Sequence, residues 1–461
     1  MTPSIVRIFW LTGSALLYLF LAYAVPRAHF YWLVGSLGIL FAGYGWILFS
    51  FRRSAGGTPG WHPTPQVKSA GAGRWPDEGL LFTAALFFRL LLLFAMPQLS
   101  DDVYRFVWDG RLLAHGYNPY LYLPSQLLPT PIAAACGLGE HLFRQLNSPD
   151  YFTVYPPLNQ AFFGLAAWLS PTGLPGNVVW LRVPIILAEA GSLWLMTRLL
   201  GQLRMNPNLA LVYGLNPLVI LELTGNLHFE AVMIFFTLLA AWLLMNQRWM
   251  LSAGALALAV GTKLLPLLLL PLVVRRLGWK QGILYSALTG VLTAALFAPF
   301  ASLELVRNIF SSINLYFQKF EFNASVYYVL RTIGYWVEGY NAIARIGFWL
   351  SITTTASLLW IVFRWRRPAP AVQLVAMLTL YLAFSTTVHP WYVTTLVAAS
   401  VFTPFRYPLV WSALIPLSYF TYHTQPYEEN LWLTAVEYGL VLLIAIPDVI
   451  SYRQALRTGH R

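Results

Sequence analysis

The chain has 461 residues, of which 58% are hydrophobic and 10% charged, against about 25% charged in an average soluble domain. No water-soluble fold of this length could cover so much apolar side chain, whereas a bilayer removes the need to. The net charge of +12 comes from Lys and Arg in short clusters between apolar runs, which is the positive-inside pattern and not a basic face built for nucleic acid.

Taken in chain order, the runs 7–24 and 30–51 read as two spans closed by Arg52 and Arg53. Residues 54–78, rich in Gly, Pro and Ser and carrying Lys68 and Arg74, read as a cytoplasmic linker. The run 79–97 then crosses outward. Residues 98–156 are polar, aromatic and proline-rich and form the largest extracytoplasmic segment. The run 157–170 is shorter than the roughly 20 residues a span needs, and it reads as a half-inserted or interfacial helix. The runs 177–200, 208–225 and 230–247 go in, out and back to Arg248.

One continuous helix over 249–276 would put Arg248 and the Arg275–Arg276 pair on opposite sides. Two short helices hinged at Gly261-Thr262-Lys263, with Pro266 just beyond the hinge, keep both clusters on one side. The run 281–300 goes out, 301–340 is a second external segment, and 341–363 comes in to Arg364, Arg366 and Arg367. Spans 371–387 and 391–404 form a hairpin that turns at His389-Pro390-Trp391-Tyr392, and 408–422 with 431–450 form another. The predicted fold is an all-α, polytopic transmembrane bundle of about 12–14 spans. Its external loop carries short helices, and both termini are cytoplasmic. It divides into an N-terminal hairpin and linker (1–78), a membrane module (79–400) and a C-terminal hairpin with tail (401–461).

With that topology the unusual polar residues fall on one face. Charges in or beside a bilayer are costly and usually line a cavity or a pathway. The segment Ser100-Asp101-Asp102-Val103-Tyr104-Arg105 continues to Trp108-Asp109-Gly110-Arg111. In a helix, positions 101, 105 and 109 share a side, so Arg105 can sit between two carboxylates. Asp101 or Asp102 could equally be an N-cap. Asn226, His228, Glu230, Lys263, Arg331 and His389 join them on that face. A lysine in the middle of an apolar run, such as Lys263, either snorkels or marks a site. The aromatic residues of the loop, Tyr155 among them, suit sugar stacking or an interface belt. Asn323-Ala324-Ser325 fits a glycosylation sequon. Cys136 is the only cysteine, so neither an intrachain disulfide nor a thiolate metal cluster can form. No ligand cluster with metal spacing is visible, and no cofactor is implied.

These motifs resemble a known family. The acidic pair closing a helix, the W-D-G-R of 108–111 and the N-P-Y of 118–120 are similar to the GT-C class of polyprenyl-phosphate-sugar glycosyltransferases. Within it, the chain looks most like the bacterial polyprenyl-phosphomannose mannosyltransferases. Further matches are Tyr155-Pro156-Pro157-Leu158, Asn216-Pro217-Leu218, Asn226-Leu227-His228-Phe229-Glu230-Ala231, Gly261-Thr262-Lys263-Leu264-Leu265-Pro266, Asn323-Ala324-Ser325-Val326-Tyr327-Tyr328 and His389-Pro390-Trp391-Tyr392. The likeness covers roughly 79–400. The family often has a small polar residue where Leu227 stands.

The resemblance implies an inverting hexosyl transfer, of mannose, on the extracytoplasmic face of a bacterial plasma membrane. The donor would be a polyprenyl-phosphate sugar and the acceptor a glycan or glycolipid, with membrane lipids around and no nucleic acid. It makes Asp101 the general base, with Asp102 as second choice. Lys263, Arg331 and His389 become candidates for the leaving phosphate. His228 would orient donor or acceptor, and Arg105, Asp109, Tyr155, Asn226, Glu230 and Tyr392 complete the substrate-binding set. A lipid-sugar flippase or secondary transporter would also put polar residues in broken helices, but it should show them at both membrane faces and preferably in a repeat.

Overall fold

The computed structural model describes residues 3–54 and 78–457, with side chains for 6–50, 78–312 and 320–457. The expected linker therefore lies, between its ends, outside the described residues. The described chain is all-α, and its only β pairing is one isolated bridge between Phe322 and Thr387.

Among the described residues, six helices are long and apolar enough to cross a membrane: Val6–Ala24, Phe30–Ser50, Leu174–Gln202, Trp279–Phe300, Ile343–Phe363 and Leu431–Arg457. The pair Pro207–Gly214 and Pro217–Gly225, bent by 57°, makes a seventh if it is one span. Large apolar side chains such as Phe9, Trp32, Trp360 and Trp432 stand exposed on these helices, as lipid-facing surface does and water-facing surface rarely does.

Several other predicted crossings are shorter helices. The run 79–97 is helical only over Glu78–Leu91, and the chain then continues without helix to Ser100. Glu230–Met245, Trp249–Val260 and Pro370–Phe384 each have 10–17 residues. Breaks divide these runs into pieces. Proline removes an amide donor and so ends a preceding helix, and Asn before Pro starts the next turn by accepting from the amides that follow the proline. Asn216 accepts from the amides of Leu218 (3.0 Å) and Val219 (3.3 Å). Asn118 does the same for Tyr120 (3.1 Å), and Asn206 for Asn208 (2.9 Å).

The chain forms two compact units that interleave along the sequence. The first comprises Met1–Leu92, Ala190–Leu223 and Glu321–Arg461. In it the segments read as outer turns meet one another. His423 Nδ1 lies 3.0 Å from the Ala28 carbonyl, and Arg27 sits over the Tyr422 ring at 4.4 Å. The Asn323 amide donates to Glu429 (2.8 Å), and Phe322 stacks on His389. Charged side chains inside its apolar helices are satisfied internally. Arg89, fully buried, donates to the Ala85 and Gly214 carbonyls, both at 2.8 Å. Tyr419 donates to Glu222 (2.7 Å), and Trp411 donates to Glu437 (2.8 Å).

The second unit comprises Leu93–Glu189 and Thr224–Phe320. Its 98–156 loop carries the Asp102–Ala114 helix and the short turns Pro119–Leu121, Pro124–Leu127, Pro131–Ala135 and Glu140–Phe143. These close over Trp108, Leu127, Leu138 and a buried Cys136. The Pro157–Leu169 helix has 13 residues, about 20 Å at 1.5 Å per residue, too short for the ~30 Å hydrocarbon core.

The 249–276 stretch is a broken hairpin. Ser252 meets Tyr285 (2.9 Å), Thr289 reaches the Ala253 carbonyl (3.5 Å), and Gly261 abuts Leu296. These pairs climb together, so Trp249–Val260 runs parallel to Trp279–Phe297. Val274 against Gly282 makes Leu270–Leu277 run the opposite way. Lys263 stands at the tip, with Arg248 and Arg275–Arg276 at the base.

Candidate functional site

Two helices set the acidic pair. Asp102–Ala114 and Pro157–Leu169 pack backbone to backbone, because Gly110 has no Cβ where one would lie 2.3 Å from the Phe163 carbonyl. Between them Phe106 stacks on Phe163 (4.5 Å, 15°) and takes the rings of Tyr155 (4.9 Å, 87°) and Phe229 (5.8 Å, 85°) edge-on. This aromatic knot ties the helix behind Asp101 to the segment carrying Asn226, His228 and Glu230.

The backbone into the pair is held separately. Asn226 Oδ1 accepts from the amides of Gln98 (3.2 Å) and Leu99 (3.0 Å). Arg182, fully buried in an apolar helix, donates to the carbonyls of Leu93 (2.7 Å), Thr224 (2.7 Å) and Gly225 (2.9 Å). The 93–99 and 224–226 strands of chain are thus bound to each other just before the acidic pair on one side and His228 on the other.

The two carboxylates differ. Asp101 occupies the N-cap position, but its side chain makes no capping hydrogen bond, so capping does not account for it. Asp102 accepts from Asn147 Nδ2 at 2.8 Å. Burial, with the nearby negative charge of Asp102 second, pushes the Tyr155 phenol well above its ordinary range.

Arg105 turns to Asp109 rather than toward the pair. Its Nε lies 2.8 Å from Asp109 Oδ1, and Nη1 donates to the carbonyls of Ser148 (3.1 Å) and Tyr151 (2.9 Å). Gln160 donates to the other Asp109 oxygen (3.1 Å) and to Thr153 (3.1 Å). Arg105 and Asp109, at 3% and 0% exposure, fasten the helix to the 147–153 loop.

The Lys263 turn is pinned to the same scaffold. The Leu158 amide donates to the Gly261 carbonyl (3.0 Å), and Asn159 Nδ2 donates to the Thr262 carbonyl (2.8 Å). Lys263 pairs with Glu230, the lysine 35% and the glutamate 6% exposed. Leu227, fully buried, has φ +62°, a left-handed conformation that favours Gly or Asn and costs a branched residue about 1–2 kcal/mol. A small polar residue such as Asn would sit there with less strain.

Nine of the residues expected from sequence therefore lie in one unit: Asp101, Asp102, Arg105, Asp109, Tyr155, Asn226, His228, Glu230 and Lys263. Arg331, His389 and Tyr392 lie in the other. There His389 stacks between Phe322 (4.8 Å) and Trp391 (4.4 Å), with Tyr392 edge-on at 5.5 Å. Arg331 pairs with Glu321 and covers the Tyr328 ring at 4.4 Å. Asn323, in the sequon, is 1% exposed and binds Glu437 through its amide at 3.2 Å, so the folded protein offers no glycan acceptor there. Sequence reading missed Glu321 and Glu429. Glu429 accepts from Tyr328 (2.7 Å) and Asn323, and burial pushes its carboxyl up. Reading also missed Arg182, although a charge inside an apolar run is the signal that singled out Lys263. Among the described residues no group of three or more His, Cys, Asp or Glu is placed to hold a metal.

An all-α chain with several helices of membrane-spanning length, whose acidic pair and lysine-bearing turn are tied to one helix scaffold, has the features of the GT-C class. The chain belongs to the family described as "Alpha-(1->6)-mannopyranosyltransferase, N-terminal domain", whose model matches residues 16–278. It is 26% identical over 199 residues to "Alpha-(1->6)-mannopyranosyltransferase A" of Corynebacterium glutamicum, covering 43% of this chain and 39% of that one. It is 26% identical over 153 residues to "Alpha-(1->6)-mannopyranosyltransferase B" of the same organism, covering 32% of this chain and 24% of that one. The matched stretches thus span well under half of either relative's length. The family match takes in the acidic pair, the 98–156 loop, Asn226 to Glu230 and Lys263. Arg331, His389 and Tyr392 fall beyond it.

Proposed function

We propose that the protein transfers a mannosyl group, with inversion, from a polyprenyl-phosphate sugar to a glycan or glycolipid acceptor on the extracytoplasmic face. The observation that carries the proposal is the joining of Asp101–Asp102 and the Lys263 turn through one scaffold, within the stretch that matches the family. Asp101 is the base. Asp102, held by Asn147, is the orienting carboxylate of the pair. Asp101 takes the proton of the acceptor hydroxyl as that oxygen attacks the anomeric carbon. The bond from that carbon to the phosphate oxygen breaks, and its electron pair leaves on the polyprenyl phosphate. Lys263 stabilises the charge gathering there, as a preorganised cation in a dry site does. Arg105 and Asp109 build the loop instead of touching substrate, and Asn226 aligns the backbone of the pair. Arg331 and His389 are not needed by this reading.

The test is incubation of purified protein and an extracted glycolipid acceptor with a panel of polyprenyl-phosphate sugars and a nucleotide sugar. Release of free polyprenyl phosphate from the mannosyl donor alone is the expected result. Glycosylation of the acceptor only from the nucleotide sugar, with the nucleotide as leaving group, or movement of intact donor across vesicles without release, overturns it.

A further inference from the structure

We infer that Glu230 tunes the Lys263 site to let the spent lipid phosphate go, acting through the lysine and not on the sugar. The inference rests on the reading of Lys263 as the phosphate cation. Three observations carry it. Glu230 is buried to 6% exposure and paired with Lys263, whose own side chain is 35% exposed. The turn that presents Lys263 is held at two backbone points by Leu158 and Asn159, so the lysine's base cannot swing far from its glutamate. Glu230 opens the Glu230–Met245 helix, an end at which the macrodipole favours negative charge. An anion arriving at Lys263 therefore meets a cation with a fixed negative charge behind it.

The two anions that visit this place differ in charge. The donor is a phosphodiester and carries one negative charge. The product is a phosphomonoester, which carries about −1.5 to −2 near neutral pH. A bare lysine would hold the product more tightly than the donor and so slow each turnover at release. A lysine with a buried carboxylate beside it opposes the second charge more than the first, because repulsion scales with charge at short range. Glu230 thus levels the affinities of donor and product. A glutamate that only capped the helix or propped the lysine would leave their ratio alone.

The experiment measures the KM for a mannosyl phosphodiester of a short polyprenol and the Ki of the matching polyprenyl monophosphate. The proteins are the wild type, Glu230→Gln, Glu230→Asp and Lys263→Met. In Glu230→Gln the Ki should fall roughly tenfold, and by more than the KM does, since one unit of nearby charge has been removed. The kcat should fall with it as release becomes limiting. Glu230→Asp keeps the charge and should keep the wild-type ratio of Ki to KM. That ratio is read from folded, active enzyme and does not depend on how much of a variant folds. If Ki and KM move together, or neither moves, while Lys263→Met raises both, the inference is wrong and the phosphate site stands. If Lys263→Met leaves both constants unchanged, the phosphate site itself is wrong.

Discussion

Asp101 begins a helix without capping it, and this separates two accounts of one residue. Under the proposed chemistry Asp101→Asn keeps the volume and hydrogen-bonding reach of the side chain but cannot accept a proton. General-base help is worth about 10²–10⁴ in rate, so release of polyprenyl phosphate should fall to near background while melting in detergent stays unchanged. If capping were the whole role, Asn would be neutral and Ala would cost about 1 kcal/mol. Asp102→Asn should be milder, because Asn147 can still bind an amide oxygen there. Full loss in Asp102→Asn with activity kept in Asp101→Asn would move the base to Asp102. The acidic pair was legible in the sequence because carboxylates at the mouth of an apolar helix are costly unless used. The difference between its two members was not, since it depends on Asn147, which lies far along the loop.

Among elements, the closest approach is between Asp102–Ala114 and Pro157–Leu169. Gly110→Ala would drive a methyl into the backbone of Phe163, which cannot step aside as a side chain can. Overpacking of this kind costs about 1–3 kcal/mol, and here it also shifts the helix that carries the acidic pair. Gly164→Ala meets the end of Leu113 at 2.8 Å, a side chain free to change rotamer, and should cost less. Thermal unfolding of the two variants in detergent should rank them in that order, with transfer lost more in Gly110→Ala. Equal stabilities would mean the helices slide apart cheaply. The broken hairpin around Lys263 was readable because Arg248 and Arg275–Arg276 demand one side of the membrane. The helix pair around Gly110 was not, because glycine in a membrane helix is too common to announce a contact. Span lengths were misjudged for a related reason. Hydropathy counts apolar residues across Asn-Pro and Pro breaks, and the folded chain does not.

For the whole molecule, the proposed topology places the 98–156 loop outside the cell. Cys136 cannot report on this because it is buried. Its neighbour Ala135 is exposed, so Ala135→Cys supplies a thiol that an impermeant maleimide should label in intact cells, while the parent protein stays unlabelled. Labelling only after permeabilisation would invert the topology and remove the extracytoplasmic site. The division into two interleaved units was hidden from a linear reading, since hydropathy orders helices along the chain and says nothing of which ones pack.

That interleaving has a consequence for how the protein is made. Glu222 receives its hydrogen bond from Tyr419, 197 residues later. At about 5–20 residues per second, the ribosome needs roughly 10–40 s to deliver the tyrosine after the glutamate has entered the membrane. Throughout that interval Glu222 lacks this bond, one of the contacts that offset the cost of a charge in hydrocarbon, about 2.5–3.5 kcal/mol on insertion scales. The first unit therefore cannot settle as it emerges and must stay open to its own C-terminal third. A chain stopped after Leu414 should be cleared by membrane proteases faster than Tyr419→Phe, which loses one hydrogen bond but keeps the helices that cover it; pulse-chase half-lives would rank the two. The late-made helices are then the closing pieces of a unit begun at the N-terminus, and the site-bearing segments between them are synthesised while that unit is still incomplete.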